Sequence, residues 1–291
     1  MDVKKNARFR ELLNKPGIIA SPACYDVLSA RIAEQAGFEL IGMGGNGAMA
    51  SLIGYPDIEI ATQTEMIGRA RLMAARINIP MWADADTGYG SVNSLRRTIL
   101  DYEAAGVSAI HLEDQVSPKR CGAIDGVTLI DADLMVEKIK FAVKVRKDPN
   151  FVIIGRTDSL STHMGVDEAI RRCKIYADAG ADVVMPENMT NLSNLQKVGR
   201  ALSDRCPVLC DLFDKDVLKL TDDEIYNMGF KIVVRSMHTI LSVAKLLKDI
   251  MTYWHENGTV GDYADQYLNI RELEKIVGLP EEFALRDVYK F

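Results

Sequence analysis

Eight times along this chain a short apolar, β-rich run gives way to an amphipathic helical stretch, and that alternation restricts the fold more than any other feature. The runs are Gly17 to Ser21, Leu40 to Met43, Met81 to Asp84, Ala109 to Glu113, Val152 to Arg156, Val183 to Met185, Pro207 to Cys210 and Lys231 to Val234. Before four of them the helix stops at Gly37, Gly106, Gly180 or Gly229, which supplies the left-handed residue that a helix C-terminus favours. Strand–helix alternation calls for a parallel sheet, and eight units are the count of a closed (β/α)8 barrel, which usually takes about 250 residues. The alternative is an open doubly wound sheet. The predicted division is an α/β barrel catalytic domain over residues 1–258 and a C-terminal helical tail over 259–291. The tail carries Leu268, Ile270, Leu273, Ile276, Val277, Phe283 and Leu285. Eight units are already used, so a neighbouring subunit is its expected partner.

Composition excludes several classes. Of 291 residues 48% are apolar, enough for one large core, and the net charge of −6 is spread along the chain. That balance argues against nucleic acid, which favours a basic stripe. No apolar run approaches the roughly 20 residues that span a bilayer, and the start has no signal-peptide pattern, so a cytoplasmic protein without membrane association is expected. Five cysteines without paired spacing argue against disulfides and a zinc site. Cys24, Cys173, Cys206 and Cys210 read as small buried hydrophobes. His111, alternating with apolar neighbours, reads as a satisfied core residue, and Arg96-Arg97 and Arg171-Arg172 read as solvated helix faces.

The chemistry gathers where apolar runs end. Glu113-Asp114-Gln115 is followed closely by Pro118-Lys119-Arg120-Cys121-Gly122, so acids, two cations and a thiol share one post-strand loop. A thiol beside cations is a candidate proton donor or nucleophile, because such neighbours lower its pKa. Asp84-Ala85-Asp86 ends another run. Alone it equally reads as an Asx turn capping the next helix, but with Glu113 one unit later it points to a hard cation, since Mg²⁺ prefers oxygen ligands. In a barrel the active face lies at the carboxyl ends of the strands, which collects Gly44, Gly45, Asp84, Asp86, Glu113, Arg156, Asp158, Glu187 and Asp211. A divalent cation and an anionic substrate would balance these charges. Gly42-Met43-Gly44-Gly45-Asn46-Gly47 matches a dinucleotide fingerprint, but that needs a continuous helix, and Gly54-Tyr55-Pro56 comes too soon for one. Bare N–H groups presented to a carboxylate are the better use of these glycines.

From about Phe9 to Phe291 the chain resembles the isocitrate lyase and phosphoenolpyruvate mutase superfamily. The resemblance rests on Tyr25-Asp26-Val27-Leu28-Ser29-Ala30, Gly54-Tyr55-Pro56-Asp57, Asp84-Ala85-Asp86-Thr87-Gly88, Glu113-Asp114-Gln115, Lys119-Arg120-Cys121-Gly122, Arg156-Thr157-Asp158 and Pro186-Glu187. It implies Mg²⁺, with Mn²⁺ as a substitute, an α-oxo-carboxylate or its enolate as the bound species, and a homotetramer in which the C-terminal helix crosses to a neighbour. By position, Asp84 would ligate the metal directly, with Asp57, Asp86 and Glu113 holding its waters. Arg156 and the Gly44 and Gly45 amides would hold the oxo-acid end, with Glu187, Asp211 and Gly122 completing the substrate site. Cys121, helped by Lys119, Arg120 and Glu113, would protonate the departing carbanion from a mobile loop. The cysteine points to the carbon–carbon lyase branch. Ala123 and Asp211 stand where tricarboxylate lyases of this family place His and Asn, which favours a 2,3-dimethylmalate-like dicarboxylate, cleaved to pyruvate and propionate, over a tricarboxylate. Methylisocitrate cleavage, a phosphonate mutase reaction, oxaloacetate cleavage and a non-catalytic binding role are the alternatives.

Overall fold

The computed structural model describes residues 2–289. Nine strand segments occur among them: β1 Ile19–Ser21, β2 Ala23–Cys24, β3 Ile41–Met43, β4 Met81–Asp84, β5 Ala109–Glu113, β6 Val152–Thr157, β7 Val183–Pro186, β8 Leu209–Asp211 and β9 Ile232–Val234. The ninth arises because the first strand continues past the expected Gly17 to Ser21 run and is broken at Pro22, whose nitrogen cannot donate to a ladder. β1 pairs in parallel with β9 while β2 pairs with β3, so the two halves of one strand serve opposite neighbours. β2 to β7 follow in sequence order, a parallel bridge links Val184 to Val208, and β8 pairs with β9. The ring closes, which excludes the open sheet.

Twelve α-helices accompany the strands among the described residues: α1 Val3–Asn14, α2 Val27–Gln35, α3 Gly45–Ile53, α4 Gln63–Ala74, α5 Val92–Ala105, α6 Ala132–Val145, α7 Gly165–Asp178, α8 Leu192–Leu202, α9 Asp222–Asn227, α10 His238–Asn257, α11 Ile270–Val277 and α12 Leu279–Val288. The four predicted helix-ending glycines all have positive φ, between 90° and 108°. Every residue of β3 to β9 is buried, as strands covered on both faces require. Burial inside the ring joins Ile19, Leu40, Trp82, Val152, Ile154, Val183, Leu209 and Ile232 into one cluster, and Phe9 and Leu12 of α1 close its amino-terminal mouth. A larger cluster fills the layer between strands and helices.

Several expectations need correction. α3 does form directly after β3, with Gly44 as its N-cap, but ends after nine residues at Gly54. Arg172 is buried and ion-paired with Asp114 at 2.9 Å, not solvated like Arg96, Arg97 and Arg171. Cys206 is only half-buried, whereas Cys24, Cys173 and Cys210 are buried. Ahead of the expected tail, α10 has no buried residue, and its Leu241, Leu247, Met251 and Trp254 are exposed. Beyond it α11 packs on α2 of the same chain, where Arg31 Nε and Gln35 Nε2 both donate to the Ile276 carbonyl, at 2.6 and 3.1 Å. Ile270, Phe283, Leu285 and Val288 stay exposed, and Phe291, the end of the expected tail, lies outside the described residues. Among the described residues no helix is long and apolar enough to cross a membrane.

Candidate active site

A chamber of about 160 Å³ opens at the carboxyl ends of the strands. Eight of the expected residues border it: Gly44, Gly45, Asp57, Asp84, Cys121, Arg156, Glu187 and Asp211. Strand register brings them together, since Asp84 faces His111 across β4 and β5, and Glu113 faces Arg156 across β5 and β6. Gly45 is needed for close approach, because a Cβ there would stand 2.4 Å from Asp84 Oδ2. Its N–H donates to that oxygen at 3.1 Å, which ties the end of β3 to the carboxylate at the end of β4.

Asp86, Glu113 and Lys119 are buried just behind the lining. The Lys119 ammonium bridges Asp57 Oδ1 at 2.6 Å and Asp86 Oδ1 at 2.8 Å. Arg156 forks onto Asp158 at 2.9 and 2.7 Å and comes within 3.5 Å of Glu113 Oε2. Asp114 supports this pair from behind: it accepts the Asp158 N–H at 3.0 Å, Arg172 at 2.9 Å and the Tyr176 hydroxyl at 2.7 Å. The sequence signalled Glu113, but the next residue braces the fork.

Burial sets the protonation pattern. It lifts Asp86 to about 6, with Lys119 opposing and Asp84 and Asp57 reinforcing, and it raises Glu113 well above the ordinary value. Burial would also lift Asp84, yet His111, Lys119 and Arg156 hold it at about 2. The His111 share exists only when the imidazole is protonated, and burial holds that group down to about 4, so near neutral pH Lys119 and Arg156 do the holding. Burial raises Glu187 to about 8, reinforced by Asp211 and Asp158 over the opposition of Arg156, and it raises Asp211 too. The fixed negative charge expected of Asp211 is thereby weakened.

The donor set suits a hard divalent cation. Both carboxylate oxygens of Glu113 and of Asp86 are buried without a hydrogen-bond partner, although Lys119 pairs electrostatically with one of the latter. Among the described residues no three acidic, His or Cys side chains converge as a ready set of direct ligands. One direct carboxylate with others acting through water is the habit of Mg²⁺.

The loop over the chamber is seated. The Gly122 carbonyl accepts from Ser161 Oγ at 2.6 Å, and Gln115 and Arg120 exchange hydrogen bonds at 2.9 and 2.7 Å. Gly122 lies against Asp158, Glu187 and Arg156. Glu59 ties the loop's start to the Asp84–Gly88 turn, accepting from the Lys119 N–H at 2.7 Å and the Thr87 hydroxyl at 3.2 Å. Cys121 Sγ lies 3.7 Å from Asn46 Nδ2. The expected depression of its pKa is reversed: burial pushes the thiol up, because Lys119 turns to Asp57 and Asp86 while exposed Arg120 bonds the Asp125 carbonyl at 3.1 Å. A thiol that keeps its proton is suited to be an acid, not a nucleophile.

Sequence reasoning missed Asn46, Trp82, Met185, Phe213, Met237 and His111 in the lining. His111 is not the satisfied core residue expected, for its Nδ1 lacks a hydrogen-bond partner and lies 3.5 Å from Asp84 Oδ1. Its place beside the end of β4 was the available signal.

The sequence profile of the phosphoenolpyruvate phosphomutase family matches residues 9–253. A 2,3-dimethylmalate lyase from Eubacterium barkeri is 33% identical, with 94% of each chain covered. A probable 2-methylisocitrate lyase from Corynebacterium glutamicum is 36% identical over 90% of this chain and 86% of its own. Among solved structures, an oxaloacetate acetylhydrolase bound to 3,3-difluorooxalacetate superposes with a TM-score of 0.91 at 31% identity, covering 100% of this chain and 99% of its own. A phosphonopyruvate hydrolase with oxalate and Mg²⁺ gives 0.88 at 26%, covering 99% of both. The chain, an enzyme with the barrel, the carboxylate-lined chamber and the thiol-bearing loop described above, belongs to the phosphoenolpyruvate mutase and isocitrate lyase superfamily of carbon–carbon lyases and mutases.

Proposed function

We propose that this enzyme cleaves a carbon–carbon bond of a branched 2-hydroxy dicarboxylate such as 2,3-dimethylmalate, releasing pyruvate and propionate. The observation that carries the lyase reading is Cys121, a protonated thiol that the seated loop presents to the chamber. The substrate class is supported by the lining, which includes apolar Met185, Phe213 and Ile124 as well as Glu187 and Asp211, with Arg156 as its cation. Ala123 offers a third substrate carboxylate no donor, and burying an unpaired charge costs several kcal/mol.

Asp84 would hold Mg²⁺ directly, with Asp57, Asp86 and Glu113 arranged through water, and Mn²⁺ as substitute. When bound, the metal supplies Lewis-acid polarisation of the oxo-acid oxygens. The chain's own residues supply the rest. Arg156, fixed by Asp158, orients the 2-hydroxy-acid end. The substrate hydroxyl gives its proton to an ionised carboxylate of the chamber, its oxygen becomes the carbonyl of pyruvate as the C2–C3 electrons pass to C3, and Cys121 delivers a proton to that carbon; the thiolate left behind recovers the proton the carboxylate took. Gly122, seated against Arg156, keeps bulk water from competing. Lys119 balances the acids behind the chamber. Assembly into a homotetramer would cover α10 and the tail.

A substrate panel tests this reading, with pyruvate or glyoxylate release coupled to a dehydrogenase. Higher kcat/KM on 2,3-dimethylmalate than on 2-methylisocitrate or isocitrate is expected, as is higher kcat/KM than on oxaloacetate followed by oxalate release, and turnover should stop with chelator and return with Mg²⁺. Faster cleavage of 2-methylisocitrate would refute the reading of Asp211, and isomerisation of phosphonopyruvate would refute the lyase assignment.

A further inference from the structure

On the outer side of the Asp84–Gly88 turn a second cavity, of about 400 Å³, lies between α5 and α6. Its walls are largely apolar, formed by Leu95, Ile130, Leu134 and Phe141. Lys138 breaks that pattern. This half-buried side chain lines the cavity, and its ammonium donates to the Thr87 carbonyl at 2.6 Å. Among the described residues no carboxylate pairs with it, whereas the buried cations Lys119, Arg156 and Arg172 each have one. Glu137, which also lines the cavity, pairs instead with Lys140 at 2.9 Å. An ammonium carries three donors, so a single neutral carbonyl leaves Lys138 able to take an anion, and a charge among apolar walls favours a counter-ion. Burial already draws its pKa below the ordinary lysine value, against the pull of Glu113, Asp114 and Glu59.

We propose that this cavity is a second ligand site, separate from the chamber, for a small monocarboxylate with an apolar body. Its carboxylate pairs with Lys138 and its body packs on Leu95, Leu134 and Phe141. Ser117 and Thr87, which also line the cavity, carry the effect inward. The Ser117 hydroxyl donates to Glu59 at 2.8 Å, and Glu59 accepts the Lys119 N–H and the Thr87 hydroxyl. A carboxylate that draws Lys138 from the Thr87 carbonyl therefore acts on the turn bearing Asp86 and on the backbone of Lys119. Such a ligand couples to the chamber to the extent that it favours one arrangement of that turn.

Octanoate is the probe, titrated by ligand-observed NMR into the full-length protein with Mg²⁺ and excess oxalate, and compared with octan-1-ol. Octanoate should bind with oxalate present. The alcohol, and the Lys138→Met variant that keeps the apolar stem, should each bind about tenfold or more weakly, the scale of one charge-assisted hydrogen bond. Lys138→Arg should retain binding. Leu134→Glu, at an exposed position where folding is little affected, should weaken octanoate to a similar extent by placing a carboxylate in the cavity. The proposal is overturned if octanoate does not bind, if oxalate displaces it, if the alcohol binds equally well, or if Lys138→Met and Leu134→Glu leave binding unchanged. No turnover is measured, so the outcome is independent of which hydroxy acid the enzyme cleaves.

Discussion

Replacing Gly122 with Ala tests whether the loop must seat against Arg156 for the enzyme to work. A Cβ at this position would stand 2.7 Å from Asp158 Oδ1, 2.9 Å from Glu187 Cγ and 3.2 Å from Arg156 Nη2. Asp158 has little room to yield, because both its oxygens fork to Arg156 and its N–H is held by Asp114. The loop must move instead, and overpacking of this kind costs about 1–3 kcal/mol. Charged to closure, that lowers kcat/KM by about 5- to 150-fold. Global stability should change by no more than about 0.5 kcal/mol, since the loop can lift without disturbing the barrel. Iodoacetamide labelling of Cys121 gives a readout independent of substrate: the variant should react faster, and Mg²⁺ with oxalate should protect it less. Wild-type kcat/KM together with wild-type protection would show that catalysis does not use this seat.

Cys121→Ser should keep oxalate binding while kcat falls by about two to four orders of magnitude, the usual span for a positioned acid; lost binding with an intact rate constant would make the thiol a packing group. In chelator, thermal stability should decline as pH rises from 4.5 to about 8, because folded Glu187 keeps a proton that the unfolded chain releases across that window. Glu187→Gln should flatten that slope in a melting series, and an unchanged slope would place the titration elsewhere. Leu247→Glu with Met251→Glu, on the exposed face of α10, should lower the mass seen by light scattering, and an unaltered oligomer would contradict a role for that helix in assembly.

The barrel was legible because strands buried on both faces leave unbroken apolar runs, and because Gly106 and its counterparts mark helix ends. Collecting the strand ends then brought Asp84, Glu113, Arg156, Glu187 and Asp211 to one rim, as the structure has them. Adjacency in sequence misled at Cys121. Lys119 and Arg120 are its neighbours in the chain, but Lys119 points to acids sixty-two and thirty-three positions upstream, Asp57 and Asp86. Arg172 has the same lesson, since its partner Asp114 lies fifty-eight positions away and helical periodicity says nothing of it. His111 looked like core because alternation has no meaning when both strand faces are buried; only pairing with β4 reveals that its ring reaches the chamber. For α10, an amphipathic pattern discloses an apolar face without saying whose surface covers it.

The chain's two tryptophans occupy opposite situations, and this gives the protein two internal fluorophores. Trp82 is 2% exposed, donates from Nε1 to Ser21 Oγ at 2.9 Å, lies 5.5 Å from the His111 ring and borders the chamber. Trp254 is 58% exposed on α10. The indole in the barrel should emit to the blue and resist aqueous quenchers, while the one on the helix should emit to the red and be quenched by iodide. Filling the chamber would then modulate the blue component alone, and covering α10 would shift the red one, so a single emission spectrum could follow occupancy and association as separate signals.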